Sequence, residues 1–174
     1  MRFFLAVVLS AAAVCAADSS RRAPGFSLPD VKAQQHDLAD YRGKVVILDF
    51  MQTSCPHCTA FASILNEVQQ KYGDRVAVLS VVNPPDDQNK VNSFIAAHRL
   101  TYPILFDCGQ AAYSYLRTAS FDIPHLYLID GNGGIREDFG YSDAVKDLFE
   151  GKGLFPHIDA LLPGGPAAPA GKKK

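Results

Sequence analysis

The motif Cys55-Pro56-His57-Cys58 constrains the fold more than any other feature of the sequence, because it joins a predicted strand to a predicted helix. The run Val45–Met51 ahead of it is rich in β-branched and aromatic residues and has the length of a strand covered on both faces. Behind the motif, apolar residues recur with the spacing of one helix face, at Phe61, Ile64, Leu65, Val68 and Tyr72. Pro56 suits the first turn of that helix, where its missing N–H group is not needed. The junction predicts an α/β fold with both cysteines at the carboxyl end of a strand, which is where open α/β sheets bind ligands and place their active sites.

Strands and helices alternate along the rest of the chain. We predict strands at Val76–Val82 and at residues 102–106, 121–129 and 135–141, the last two joined by a turn at residues 130–134. We predict helices after Asp86 or Asp87, at Gln110–Leu116, and at residues 143–149, resuming towards residue 162. Residues 23–30 are expected to form an edge strand or an extended lead-in, and residues 18–22 to be loose. Together these elements predict one domain over residues 18–162, with a central mixed sheet flanked by helices.

The two ends of the chain are not expected to belong to this domain. Residues 1–17 hold the basic Arg2, an apolar run and then Ala16 and Ala17, which is typical of a secretory signal removed on export. The run is shorter than the roughly 20 residues that a membrane-spanning helix needs, and no later stretch approaches that length. Residues 163–174, made of Pro, Gly, Ala and Lys, are predicted to be a disordered tail. We expect a mature protein without a stable membrane span, exported to a periplasm or outside the cell.

The four cysteines divide into three groups. Cys15 lies in the signal, and lipid attachment there is not expected because the residues before it lack the small residue and the Leu that lipidation requires. Cys108 stands alone, and a buried small hydrophobic side chain is a commoner fate for such a residue than resolving a second disulfide. Cys55 and Cys58 remain as a close pair. In an exported protein without a disulfide framework, such a pair is more typical of a working redox or metal site than of a staple.

Charge argues against a nucleic-acid partner. The chain has 17 Lys and Arg residues against 18 Asp and Glu residues, which gives a net charge of −1. A nucleic-acid-binding domain usually carries a basic excess that neutralises phosphates. The sequence therefore predicts a globular protein without a nucleic-acid partner, and the absence of a long heptad pattern favours a monomer.

The chemistry of the motif follows from its place at a helix N-terminus. Unpaired N–H groups and the helix dipole stabilise a thiolate relative to a thiol there, so Cys55 is expected to be the exposed nucleophile. Cys58, one turn into the helix, would resolve the mixed disulfide. His57, when protonated, adds a cation beside the Cys55 thiolate and makes the disulfide a stronger oxidant. Two alternatives stay open: half of a zinc site, although no second Cys-x-x-Cys or His-x-x-x-His follows, and an inert structural disulfide.

Several segments together resemble one known family over residues 23–162. They are Ala23-Pro-Gly-Phe-Ser-Leu-Pro, Asp40-Tyr-Arg-Gly-Lys-Val-Val, Cys55-Pro-His-Cys58, Ile123-Pro124, and Leu126-Tyr-Leu-Ile-Asp-Gly-Asn-Gly. The chain is similar to exported thioredoxin-fold thiol-disulfide oxidoreductases of the TlpA/ResA-like redoxin (AhpC/TSA-like) type. The resemblance implies a thioredoxin fold with an extra helix and strand at residues 87–106. It also implies disulfide exchange with thiol- or disulfide-containing proteins. We expect neither an organic cofactor nor a bound metal.

The same resemblance assigns roles around the cysteines. It implies that Pro124 is cis, faces the cysteines and presents the backbone of Ile123 to a substrate chain; an ordinary trans edge proline is the alternative. His125 stands where the family often has Thr, which would add a second imidazole near the sulfurs. Asp49, in an otherwise apolar strand, would exchange the proton of Cys58 with a pKa raised by burial. The alternative is an aspartate paired with Lys or Arg at the edge of the strand.

Besides His125, two departures from the family pattern matter, and the second leaves the direction of electron flow open. Ser54 replaces the Trp that commonly precedes the first cysteine, and the chain has no Trp. The Pro-His dipeptide resembles the oxidant DsbA, whereas the surrounding sequence resembles reductants of cytochrome c maturation. Asp86 falls near the position where those reductants carry an active-site Glu, although two neighbouring prolines disturb the alignment.

Two other functions compete with this reading. Cys55, Cys58, His57 and His125 offer sulfur and imidazole ligands suited to Cu(I), as in a copper chaperone or a copper-site reductase. Thioredoxin-fold copper chaperones usually resemble Cys-x-x-x-Cys instead. The sequence Thr53-Ser-Cys faintly resembles a peroxidatic site, but the usual Pro before the Thr is absent.

Overall fold

The computed structural model describes residues 21–117 and 122–164. The strands are β1 Arg21–Arg22, β2 Ser27–Pro29, β3 Gln35–Asp37, β4 Val45–Met51, β5 Val76–Val82, β6 Ile104–Phe106, β7 His125–Ile129 and β8 Gly134–Gly140. The α-helices are α1 Pro56–Tyr72, α2 Gln88–His98, α3 Gln110–Leu116, α4 Lys146–Glu150 and α5 Leu154–Leu161. Short 3-10 turns cover Leu38–Tyr41, Gly73–Arg75 and Asp143–Val145.

Six strands form one mixed sheet in the order β1-β8-β7-β4-β5-β6, and β2 and β3 form a separate antiparallel hairpin. Strands β4, β5 and β6 are parallel, while β7 and β8 run antiparallel to their neighbours. The predicted central mixed sheet flanked by helices is confirmed. Helix α2 and strand β6 lie between β5 and the final hairpin, where the extra helix and strand were expected.

Strand β4 lies in the middle of the sheet, paired with β5 on one side and β7 on the other, and every one of its residues is buried. Its side chains alternate between the two faces of the sheet, as strand geometry requires. On one face Ile47 packs in a cluster with Phe61 and Leu65 of α1, and on the other Phe50 packs with Tyr115 of α3. This double cover holds the end of β4, and the motif that follows it, in a fixed place.

The structure corrects several predicted boundaries. Arg21–Arg22 is not loose but pairs with β8. The strand predicted at residues 102–106 begins only at Ile104, and the one predicted at residues 121–129 begins at His125. In both cases a proline that cannot donate to the ladder precedes the strand. The last predicted helix is divided into a 3-10 turn, α4 and α5.

The expectation that Cys108 is buried is wrong, because its side chain is exposed. The neighbouring Asp107 is the buried residue. Its two carboxylate oxygens accept hydrogen bonds from the N–H groups of Ala111 and Ala112 at 3.2 and 2.9 Å. By turning inward to cap α3, Asp107 leaves Cys108 facing solvent.

The predicted signal at residues 1–17 lies outside the described residues, as do Phe121 and residues 165–174 of the predicted tail. Across residues 21–117 and 122–164, none of the helices has the length and apolar character needed to cross a membrane.

Candidate active site

Cys55 is the N-cap of α1, as the sequence predicts. Its backbone is extended, with φ −86° and ψ 120°, and Pro56 occupies the first turn. The Cys55 Sγ atom accepts a hydrogen bond from the N–H group of Cys58 at 3.2 Å, which is one of the unpaired donors at this helix end. Cys55 is half-buried and Cys58 is 2% exposed, and both are free thiols. Only the first sulfur is therefore open to an incoming partner.

Burial dominates the surroundings of Cys58. It packs with Met51, Ala62 and Val82 between α1 and the ends of two parallel strands. Burial, and then the charge of Asp49, raise the pKa of the Cys58 thiol well above its ordinary value. This thiol needs a nearby base before it can react as a thiolate.

Asp49 is a buried carboxylate on the α1 side of the sheet, with 2% of its surface exposed. Burial raises its pKa to about 7, against the opposing effect of a hydrogen bond from the Ser80 hydroxyl to Oδ2 at 2.9 Å. Within the described residues Oδ1 has no hydrogen-bond partner, and no Lys or Arg pairs with the carboxylate. The alternative of an ion-paired aspartate is therefore not observed, and the group can gain or lose a proton near neutral pH.

The Ile123–Pro124 peptide bond is cis, as the resemblance implies. The Ile123 carbonyl oxygen lies 3.9 Å from the Cys55 Sγ atom, so this backbone segment borders the exposed sulfur. The Pro124 carbonyl accepts a hydrogen bond from the N–H group of Tyr141 at 3.1 Å, which ties the segment to the end of β8.

His125 does not lie as expected. Its ring stacks on Tyr127 with centroids 5.0 Å apart, and its Nε2 atom lies 2.7 Å from Asp138 Oδ1. Tyr127 belongs to the core cluster on the face opposite α1, whereas Leu126 packs on the α1 face. Strand alternation thus turns the imidazole away from the helix that carries Cys58. The contacts of the imidazole are with Tyr127 and Asp138, while the backbone of His125 follows Pro124.

His57 also has partners that the sequence does not reveal. Its Nδ1 atom lies 2.8 Å from Glu150 Oε1 of α4, and its ring stacks on Tyr141 with centroids 4.0 Å apart. The Tyr141 hydroxyl donates to the same Glu150 oxygen at 2.8 Å. Because 93 residues separate His57 from Glu150, no local spacing signals this contact.

Asp86 lies at the active-site loop, near where the resemblance puts an acidic residue. Its carboxylate accepts hydrogen bonds from the N–H group of Thr53 at 2.8 Å and from the Thr53 hydroxyl at 2.6 Å. It therefore fixes the backbone two residues before Cys55. Ser80 is a further site residue that we did not predict, although a signal existed: it is a polar residue in the buried run of β5, opposite Asp49 in register.

Across residues 21–117 and 122–164, no group of three or more His, Cys, Asp and Glu side chains is placed to hold a metal ion.

Cys55 lies at a helix N-terminus, Cys58 is buried near the carboxylate of Asp49, and the cis Pro124 adjoins them. On this sheet, these features together define the class of thioredoxin-fold thiol-disulfide oxidoreductases. Residues 20–138 match the AhpC/TSA family, and the chain belongs to it.

Two relatives carry names in this class. The thiol-disulfide oxidoreductase ResA of Geobacillus kaustophilus is 32% identical over 141 residues, which cover 81% of this chain and 76% of that protein. The thioredoxin-like protein YneN of Bacillus subtilis is 30% identical over 119 residues, covering 67% of this chain and 68% of YneN.

The fold has counterparts among solved structures. A Chlorobium tepidum protein assigned as the thiol:disulfide interchange protein DsbE superposes with a TM-score of 0.66 at 29% identity, covering 79% of this chain and 96% of that one. A secreted disulfide oxidoreductase of Mycobacterium tuberculosis shares the fold at 22% identity, with a TM-score of 0.61 and coverage of 73% and 92%.

Proposed function

We propose that this protein is an exported oxidoreductase that exchanges disulfides with partner proteins through Cys55 and Cys58. The observation that carries the proposal is the unequal burial of the two sulfurs: Cys55 is accessible beside the Ile123 carbonyl, and Cys58 is enclosed near Asp49. An accessible first thiol and an enclosed second thiol suit sequential attack and resolution.

The reaction begins when the Cys55 thiolate attacks one sulfur of a partner disulfide. A bond forms between Cys55 and that sulfur, and the other partner sulfur leaves as a thiolate. The partner chain lies along Ile123 and Pro124, whose backbone borders Cys55, with the His125 backbone next in line.

Resolution requires Cys58 to become a thiolate. Asp49 takes the proton of Cys58, directly or through water, and Cys58 then attacks Cys55. The Cys55–Cys58 disulfide forms and the partner leaves with both sulfurs reduced. Run in reverse, the same steps donate a disulfide, and Asp49 then returns the proton to Cys58. The raised pKa of Asp49, about 7, matches this role because the carboxyl group is near half-protonation at neutral pH.

The domain organisation belongs to the same proposal. Residues 1–17 are a signal removed on export, residues 18–162 are the catalytic domain acting as a monomer, and residues 163–174 are a tail. Mass spectrometry of the protein recovered from an exporting host tests the first part, since a mature N-terminus at residue 17 or 18 is expected.

Catalysed reduction of insulin disulfides tests the activity. We expect the wild-type chain to accelerate the reaction and Cys55→Ser to abolish the acceleration. Peroxide consumption by the same samples is the control for a peroxidase. Insulin turnover that persists in Cys55→Ser, or fast peroxide consumption without disulfide turnover, would contradict the proposal.

A further inference from the structure

The contacts of His57 point to a role for Glu150 in the redox site. Glu150 closes α4, and its Oε1 atom is shared by His57 Nδ1 and the Tyr141 hydroxyl, each at 2.8 Å. Its Oε2 atom lies 3.3 Å from Lys146 Nζ. The neighbouring Phe149 packs its ring on Phe61 of α1 with centroids 4.9 Å apart, which anchors α4 beside the motif.

These contacts decide which nitrogen of His57 carries a proton. A carboxylate only accepts hydrogen bonds, so the nitrogen that faces it must be an N–H donor. Hydrogen bonds from Tyr141 and His57 lower the pKa of Glu150, which keeps it ionised. Desolvation, and then the hydrogen bond with Glu150, raise the pKa of Tyr141 to about 12, so its phenol keeps its proton and remains a donor. Neutral His57 is thus held as the Nδ1–H tautomer.

The same contacts restrain the imidazole. One face of the ring stacks on Tyr141, and its Nδ1 atom pairs with Glu150, so both the plane and the rotation of the ring are restrained. A free imidazole two residues from Cys55 could instead donate a hydrogen bond or, when protonated, a positive charge to the thiolate. Any such interaction favours the reduced couple and makes the disulfide a stronger oxidant.

We propose that Glu150 is a positioning residue for the Cys55–Cys58 couple. It holds neutral His57 on Tyr141 in the Nδ1–H tautomer and offsets the positive charge of His57 when the imidazole is protonated. Glu150 thereby makes the disulfide a weaker oxidant than the Pro-His dipeptide alone predicts. The effect of Glu150 on the redox couple rests on the proposed function, whereas the tautomer of His57 does not depend on it. Lys146 reduces the effect of Glu150 only slightly, because its side chain is 55% exposed and its charge is screened.

The test compares Glu150→Gln with the chain that keeps Glu150, called wild type here, and both proteins also carry Cys108→Ser. Glu67→Gln is the matched control, because it removes the same charge from an exposed position on α1. The first readout is the tautomer of His57, from the ring ¹⁵N chemical shifts above the titration range of histidine. His57→Ala assigns the signal among the five histidines. We expect Nδ1–H in wild type and Glu67→Gln. In Glu150→Gln we expect a weaker preference for Nδ1–H, because the amide can either accept a hydrogen bond from Nδ1–H or donate one to an unprotonated Nδ1.

The second readout is the equilibrium of the couple with glutathione, in which the disulfide and two glutathione molecules give the dithiol and one glutathione disulfide. We expect Glu150→Gln to raise this equilibrium constant about five-fold, or about 20 mV for two electrons. In the His57→Ala background the same substitution should have a clearly smaller effect, because only the screened direct field of the carboxylate remains.

Three results would overturn the proposal: an Nε2–H tautomer in wild type, no change in the equilibrium constant beyond that of Glu67→Gln, or an equal change with and without His57. A wild-type chain that forms no Cys55–Cys58 couple would instead refute the proposed function, and the tautomer measurement would still test the position of His57.

Discussion

Ser80 donates its hydroxyl hydrogen to Oδ2 of Asp49 across β4 and β5 at 2.9 Å, while Oδ1 has no partner among the described residues. A buried carboxylate with one hydrogen bond is poorly compensated, and this is why its pKa is raised to about 7. The charge of Asp49 also helps to raise the pKa of Cys58. The free energy that it costs to bury Asp49 is thereby linked to the reactivity of Cys58.

Asp49→Asn should slow resolution of the mixed disulfide. The amide cannot accept a proton from Cys58, so we expect this step to slow by roughly 100-fold, in the range of general base catalysis. Attack by Cys55 should change little. Stopped-flow measurement of the two phases with a disulfide peptide separates them, and equal slowing of both phases would contradict the role given to Asp49.

The same group should make stability depend on pH. Below about pH 4 the carboxyl group is protonated in both folded and unfolded chains. Between pH 4 and 7 the unfolded chain loses this proton while the folded chain keeps it, so the free energy of unfolding falls by on the order of a few kcal/mol as pH rises. Denaturant titrations should show this fall in wild type and its loss in Asp49→Asn. Parallel pH curves for the two proteins would refute the assignment.

Ser80→Ala should move the pH profile of resolution upward. The Ser80 hydrogen bond lowers the pKa of Asp49, so its removal raises that pKa further. The rate of the resolving step should then reach half its maximum at a higher pH than in wild type. Ser114→Ala, which removes a hydroxyl on α3, is the control and should leave the profile in place. A downward movement for Ser80→Ala would be inconsistent with this account.

Asp86→Ala should loosen the loop that leads to Cys55. It leaves the Thr53 N–H group and hydroxyl without their acceptor, at a cost of about 1–3 kcal/mol of unfolding free energy. Thr53→Ser keeps both donors and should stay close to wild type. Chemical denaturation and insulin turnover together check the expectation, and an unchanged unfolding free energy in Asp86→Ala would sink it.

Cys108→Ser should leave exchange unchanged. The thiol is exposed, no described contact holds it, and substitutions at such surface positions usually change stability by less than about 0.5 kcal/mol. Insulin turnover of the variant checks this. A clear loss of turnover would instead make Cys108 a second resolving cysteine.

The sequence predicted the sheet, the helix after the motif and the place of Cys55 because these depend on local patterns. The apolar run of β4, the helical spacing behind it and Pro56 all lie within one strand–helix unit. The boundaries near Pro103 and Pro124 were missed by a few residues, since a proline inside an apolar run does not reveal where hydrogen bonding begins.

Long-range pairing explains the failures at the site. The contact of His57 with Glu150 joins residues that no periodicity relates. His125 was expected near the sulfurs from its place in the chain, but the direction of its side chain depends on the register of β7 with β4. Cys108 was assigned from the general behaviour of lone cysteines, whereas inward capping by Asp107 decides its exposure.

The most direct test of the central claim is to locate the covalent intermediate. Cys58→Ser, reacted with a peptide carrying one disulfide and mapped by tryptic mass spectrometry, should accumulate a mixed disulfide at Cys55. The wild-type chain should pass through the same adduct to a Cys55–Cys58 disulfide. An adduct mainly at Cys108, or none while turnover persists, would contradict the account.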